Sequence, residues 1–270
     1  MDFNDTAEEN NFRLEVREWL EKNAPKDKKI GGYDSIDVEE SALERAREWQ
    51  AKKADAGYAA ITWPKEYGGL GASSIHSVIY SQEEAKYNVP SGIYDIGLGM
   101  CIPTMMAWAT KEQNERYVEP ALYGKEIWCQ LFSEPSAGSD VAGLRSKAVQ
   151  DGDKWIVNGQ KVWTSGAQFC DYGILVVRHD ANLDKHKGMT FFFVDMKSPG
   201  IDVKPIKQIT GGSSFNEVYF NDVIIPDSQR LGEIGDGWKV AITTLMNERL
   251  AVGDASGADV EDAFRWAKSQ

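Results

Sequence analysis

Residues 129–166 read CQLFSEPSAGSDVAGLRSKAVQDGDKWIVNGQKVWTSG, and the fold turns on how this stretch is understood. It begins with a run of small, hydroxyl-bearing and glycine residues, Ser133 to Asp140. Turn pairs at Asp151-Gly152 and Asn158-Gly159 then flank short apolar-aromatic runs, a hairpin signature. It ends with Trp163 beside the hydroxyls of Thr164 and Ser165. Taken singly, PSAGSD is ordinary turn chemistry and a lone tryptophan is a core residue. Taken together, so many hydrogen-bonding groups beside one large flat side chain suit a flat, polar-edged cofactor with a phosphate tail.

Downstream, YGILVVRH, GMTFFFVDM, IDVKPI and FNEVYFNDVII are β-rich segments separated by Gly, Pro, Asn and Asp. This pattern predicts a compact antiparallel barrel or sandwich. Upstream the texture is helical. TAEE, Thr6 to Glu9, has capping-box spacing, and Phe12, Val16, Trp19 and Leu20 then share one helical face until Pro25. A second helix is expected over about 38–56, ending at Gly57. The Pro- and Gly-rich loop ITWPKEYGGLGASS follows, and Ile75, Val78 and Ile79 open a third helix. TKEQ, Thr110 to Gln113, repeats the capping-box signal before Tyr117 and Val118.

After Pro226 the chain returns to helix. Trp238, Ile242, Leu245 and Met246 are expected on one face, with the helix running to about Gly253 and a further helical stretch through Phe264 and Trp266. Two helices with apolar faces need a cover, either a partner or the rest of a helical domain.

Composition narrows the chemistry. In 270 residues the net charge is −12, which argues against a nucleic-acid partner because phosphate neutralisation needs clustered Lys and Arg; solubility is the plain reading of that acidity. Three cysteines, Cys101, Cys129 and Cys170, form no CxxC pair, and the three histidines share no ligand spacing, so metal chemistry is not expected. The N-terminus has no basic n-region or apolar h-region, and no apolar run has the length of a membrane span. A reducing, cytoplasmic setting is expected.

Helical head, β middle and helical tail, with SEPSAGSD (Ser133 to Asp140) at the first junction, resemble the acyl-CoA dehydrogenase family. WPKEYGG (Trp63 to Gly69), NGQKVWTSGA (Asn158 to Ala167) and FNEVYFNDVIIP (Phe215 to Pro226) are further landmarks of that family. The resemblance implies an α+β multidomain chain. It would have an N-terminal α-helical domain over 1–126, a central antiparallel β-barrel over 127–227, and the start of a C-terminal helical bundle over 228–270.

It also implies FAD. Gln130, the backbone of Phe132 and the Ser133 hydroxyl match the family's positions along the pyrimidine edge of the flavin. Ser139 matches the pyrophosphate and substrate-contact position, with Gly138 beside it allowing close backbone approach. Trp163 matches the residue packed against the flavin, and Ser165 the hydroxyl at its N5, where a donor favours the electron-rich reduced form. The implied reaction is α,β-dehydrogenation of an acyl-CoA thioester to the trans-2-enoyl-CoA. Electrons would pass to an electron-transfer flavoprotein, and the assembly would be a homo- or hetero-oligomer.

Such chemistry needs a carboxylate base in a dry pocket. Many family members supply it late in the C-terminal domain. Others, including isovaleryl-CoA and long-chain enzymes, place it on the first long helix there, where MNERLAVG carries Glu248 followed by Arg249. Two readings stand open: Glu248 is the base, or it is a locally paired helix carboxylate and the base lies outside residues 1–270. Pro135 reads as structural and Glu134 as a loop or cap carboxylate.

QITGGSSFNEV and VDMKSPGIDVKPI look most like branches acting on large or unusual acyl groups, such as steroid side chains, long chains or aryl acids. Rival expectations are an oxidase relative and a non-catalytic partner subunit of a heteromeric enzyme. A third, the DNA-associated branch of the same fold, is opposed by the acidic balance.

Overall fold

In the computed structural model, residues 4–25, 40–90, 92–209, 211–251, 264 and 267–268 are described. Most fall into two units, within residues 4–90 and within 92–251. Helices α1 (Ala7–Asn23), α2 (Glu40–Asp55) and α3 (Ser74–Glu84) build the first. The expected box forms at α1. Glu9 N–H donates to Thr6 Oγ1 at 3.3 Å and Thr6 N–H to Glu9 Oε2 at 2.7 Å, satisfying donors that a helix start leaves open. Val16 and Leu20 are fully buried beside Trp49, Ile61 and Tyr80, with Trp19 between the rings of Trp49 and Tyr58. At the α1–α3 contact, the buried carboxylate of Glu83 accepts from Arg13, Arg17 and Lys86. The expected start of α2 at Val38 lies outside the described residues, as do Gly253 and Trp266.

The second unit opens with a single π turn, Gly97–Cys101, running into α4 (Ile102–Trp108). Pro103 has no N–H to give the carbonyl four residues back, and Ile102 N–H reaches Gly97 O instead, so the helix widens there. Next comes α5 (Lys111–Leu122), carrying the second expected capping box between Thr110 and Gln113. Eight strands follow: β1 (Trp128–Leu131), β2 (Lys147–Asp151), β3 (Lys154–Ser165), β4 (Tyr172–Arg178), β5 (Met189–Asp195), β6 (Ile201–Ile206), β7 (Phe215–Pro226) and β8 (Arg230–Leu231). Helix α6 (Gly237–Ala251) closes the unit.

The strand order is β6-β7-β3-β2-β4-β5-β8, with β1 joined to β4. This corrects the expected antiparallel barrel in two ways. The sheet is open, with β6 and β8 at its two ends. It is also mixed, since β1 and β2 each run parallel to β4. Parallel pairing needs a long crossover, and the loop after β1 plus the β2–β3 hairpin supplies one. The open edges are blunted: β6 carries Lys204 and Pro205, and β8 has only two residues. Ile174 to Val177 on β4 and Phe191 to Val194 on β5 are all buried. Those strands therefore read as apolar runs rather than alternating patterns.

One local expectation changes. Asp151-Gly152 is the hairpin turn between β2 and β3, but Asn158-Gly159 lies inside the continuous strand β3, at a register shift between Val157 and Gly159. Asn158 is held there by Asp222 of β7: its Nδ2 donates to Asp222 Oδ1, and its Oδ1 accepts from Asp222 N–H, both at 2.9 Å. The extra residue of the bulge falls on β7, where Asp222 takes φ 50°, so the Asn-Gly pair stays within strand β3 instead of turning.

On α6 the buried residues are Val240, Ala241 and Thr244, while Ile242 and Met246 are exposed. The helix docks through small residues. A Cβ at Gly237 would lie 2.6 Å from Met189 C and Thr190 N, so only glycine lets α6 begin this close to β5. Further along, Thr244 Oγ1 bonds Thr104 Oγ1 at 2.9 Å and Trp108 Nε1 donates to Thr243 Oγ1 at 2.9 Å.

Candidate flavin site

Strand β1 ends where the cofactor-type residues begin. Gln130 lies in β1, half-buried, Phe132 is buried just beyond it, and Ser133 is half-buried. This tail is tied to β3 rather than continued as a strand: Val162 N–H donates to Ser133 O at 2.8 Å, and Lys161 Nζ donates to Phe132 O at 3.0 Å. Glu134 and Ala137 then exchange backbone bonds at 2.8 and 3.0 Å, closing a tight turn. Ser139 and Gly138 follow on the exposed loop. Asp140, next to Ser139, pairs with Lys185 of the β4–β5 loop.

Trp163 is the outlier of the unit. It is a tryptophan at φ 60° and 60% exposed, a conformation and an exposure that a bulky residue adopts only when something else fixes it. The cause is local. A second register shift separates Lys161 from Thr164 in the β3–β7 pairing, and a bulge re-aims side chains. Among the described residues its ring contact is with the edge of Phe215, at 6.1 Å and 83°. Its single-residue expectation as a core side chain is therefore wrong. Ser165, half-buried, ends β3 opposite Phe215.

The structure thus brings Phe132, Ser133, Trp163 and Ser165 to the adjoining ends of β1 and β3, with Gln130 one turn of strand behind and Ser139 on the loop that leaves them. Glu248 and Arg249 lie near the end of α6. Their side chains make no hydrogen bond or ion pair with another described residue; Glu248 is half-buried and Arg249 exposed.

Lys161 is what the motif reading missed; Glu134, expected as a loop or cap carboxylate, is its partner and accepts from loop N–H groups. Lys161 is 0% exposed and its Nζ lies 2.8 Å from Glu134 Oε1. Arg145 N–H donates to Glu134 Oε2 at 2.6 Å and Ser146 N–H to Oε1 at 3.0 Å. Burial pushes the Glu134 carboxyl up, but Lys161 and these backbone donors outweigh it and hold the group below its ordinary value. Burial likewise lowers Lys161, against the pull of Glu134. A signal existed in the sequence: Trp155, Val157, Gly159 and Lys161 alternate along one strand, which puts the lysine in the inward row.

Comparison with known proteins gives the class. Residues 6–125 match the N-terminal domain of acyl-CoA dehydrogenases and residues 129–223 the middle domain. The chain is 30% identical to the Tcur3481-Tcur3483 steroid ACAD, with a TM-score of 0.81 over 100% of this chain and 69% of that one. It is 31% identical to a chain of the ChsE4-ChsE5 complex from Mycobacterium tuberculosis, with a TM-score of 0.73 over 92% of this chain and 61% of that one. With the acyl-CoA dehydrogenase FadE34 of Mycobacterium tuberculosis it shares 44% identity over 80% of this chain and 30% of that protein. The protein belongs to the acyl-CoA dehydrogenase family, a family of FAD-dependent oxidoreductases of lipid metabolism. The chain spans less than two thirds of the length of FadE34 and of the ChsE4-ChsE5 chain.

The residues present fit a flavin. The exposed, strained indole offers a flat apolar wall that nothing in the chain covers fully. Gly138 is not required by its own surroundings: a Cβ there meets nothing within 4 Å, and its φ is not in the left-handed region. Gly138 and Ser139 are both exposed, so their backbone is open to a ligand. Among the described residues no helix is long and apolar enough to cross a membrane, and no group of three His, Cys, Asp or Glu is placed to hold a metal ion.

Proposed function

We propose that this chain binds FAD at the ends of β1 and β3 and takes part in the α,β-dehydrogenation of an acyl-CoA thioester. The single observation that carries the reading is Trp163, an exposed indole held at positive φ, next in the chain to Val162, whose N–H holds Ser133 O, and two residues before Ser165. Bound FAD supplies the acceptor for the β-hydrogen, which leaves the substrate as hydride. Trp163 would pack against the ring system. Gln130, the Phe132 backbone and Ser133 would hold the polar edge, Ser139 would hold the phosphates and touch the substrate, and Ser165 would offer a donor to the ring. Glu248 would remove the substrate α-proton, with Arg249 next to it in the chain. An electron-transfer flavoprotein would be the partner that takes the two electrons.

The acyl group we favour is large, on the likeness of QITGGSSFNEV and VDMKSPGIDVKPI to the bulky-substrate branches and on the relative described as a steroid ACAD. A homo- or hetero-oligomer in the cytoplasm fits the reading; the ChsE4-ChsE5 relative is described as a complex of unlike chains. The three buried, unpaired cysteines suit a reducing compartment.

The test is anaerobic titration of the FAD-loaded protein with short, long and steroid-type acyl-CoAs. Loss of the flavin absorbance with one class supports the proposal; a protein that takes up no FAD, or whose bound FAD no acyl-CoA bleaches, sinks it. Trp163→Gly separates structure from function. Relief of the positive φ stabilises the FAD-free protein by about 0.5–1 kcal/mol in urea unfolding. Loss of the indole wall weakens FAD binding about fivefold to tenfold. A variant that is both less stable and unchanged in FAD affinity would mean that the indole serves the fold alone.

A further inference from the structure

We infer that Lys161, through its bonds to Phe132 O and Glu134, is a positioning residue that holds the Phe132–Ser133 peptide and the Trp163 indole in the fixed relation that FAD binding requires. The inference rests on the FAD reading above.

Energetics make the pair unusual as a mere prop. Lys161 is fully buried, in the row that begins with the buried side chains of Trp155 and Val157. Taking an ammonium and a carboxylate out of water costs enough that an apolar pair of similar volume often supports a fold equally well. What an apolar pair cannot do is donate to Phe132 O. That carbonyl belongs to the same peptide group as the Ser133 N–H. A charged donor on the oxygen polarises the peptide, so its N–H becomes a stronger donor toward a ligand edge.

Placement points the same way. Lys161 stands two residues before Trp163, at the start of the register shift that turns the indole outward. Between them, Val162 N–H holds Ser133 O at 2.8 Å. Lys161, Val162 and Trp163 therefore grip one strand tail with two bonds and present the indole from the third residue, so a two-residue length of backbone sets the spacing. Glu134 extends the grip. Its oxygens accept from Arg145 and Ser146 N–H, at the far end of the loop that carries Ser139. The tail, the loop and the indole all meet at this one ion pair.

The test uses the chain purified with any subunit that accompanies it, comparing the parent with the double variant Glu134→Leu with Lys161→Met. FAD affinity is measured by equilibrium dialysis, the absorption spectrum of bound FAD is recorded, and folding is followed by circular dichroism. The expected result is a folded variant that binds FAD about tenfold to a hundredfold more weakly, with a shifted flavin spectrum. A folded variant with affinity within about twofold of the parent and an unshifted spectrum overturns the inference. Should the double variant not fold, amide exchange in the parent decides. Protection of the Ser133 N–H that appears on adding FAD upholds the inference, and exchange that FAD leaves unchanged overturns it. A parent that takes up no FAD overturns the flavin reading itself, whereas a FAD-binding parent with an indifferent variant overturns only the role given to Lys161.

Discussion

Glu248→Gln is expected to leave FAD binding intact and to slow bleaching of the flavin by acyl-CoA about 10²- to 10⁴-fold, the range for loss of a positioned general base. The helix sets up the argument. Along α6, Val240, Ala241, Thr244 and Glu248 are spaced one, three and four residues apart, which stacks them on one side. The first three are buried, and Thr244 is fixed to Thr104 on α4. Glu248 thus extends the inward stripe of the helix by one turn, half-buried, while its neighbour Arg249 faces out. A carboxylate on that stripe is aimed toward the interior rather than toward bulk water, as a base for a carbon acid must be. Glutamine keeps the size and removes the proton acceptor. Stopped-flow absorbance under anaerobic conditions reads the outcome, and bleaching at the parent rate removes Glu248 from the role of base.

What could be read from the chain in advance, and what could not, divides along physical lines. Both capping boxes were legible because Thr6–Glu9 and Thr110–Gln113 satisfy backbone groups within a single turn. The Asp151-Gly152 turn was legible for the same local reason. The Asn158-Gly159 pair has the same chemistry, yet it stays in strand β3 opposite a bulge in β7, because its partner, Asp222, is more than sixty residues away. Closure of the sheet is non-local too: the apolar runs announce strands, but nothing in them says that β1 and β2 will both lie parallel to β4.

The side of α6 that is buried within this unit carries no large apolar signal of the usual kind. Here close approach at Gly237 and a threonine pair set the contact instead. At the candidate site the motif residues of β1 and β3 came together as a group. Lys161 did not stand out, since a lysine in a strand signals burial only once the strand's inward row is known.

Acidification is expected to remove most of what Glu83 contributes to the helical unit, and Glu83→Gln to remove it at neutral pH. Its carboxylate is 2% exposed. Arg13 Nη1 donates to it at 2.9 Å, Arg17 at 2.9 and 3.0 Å, and Lys86 completes the cage. Burial alone would push the carboxyl up, but the bonds from Arg17, Lys86 and Arg13 win, and it is held down at about 2. Because the folded value lies below the unfolded one, the stabilisation is whole above about pH 4.5 and drains away as the pH falls through about 2.

Replacement by glutamine leaves three cations around a neutral amide. Breaking such a buried pair costs about 3–5 kcal/mol. The lower end applies here, since Arg17 and Lys86 are about half-exposed and Arg13 keeps Asp5 at 2.6 Å, so solvent and a second carboxylate take up part of the imbalance. Urea unfolding of parent and variant should therefore differ by about 3 kcal/mol at pH 7, and the gap should narrow steadily below pH 4.5. A gap of equal size at pH 7 and at pH 3 would show that the variant loses packing rather than charge, and that the α1–α3 contact does not depend on an ionised Glu83.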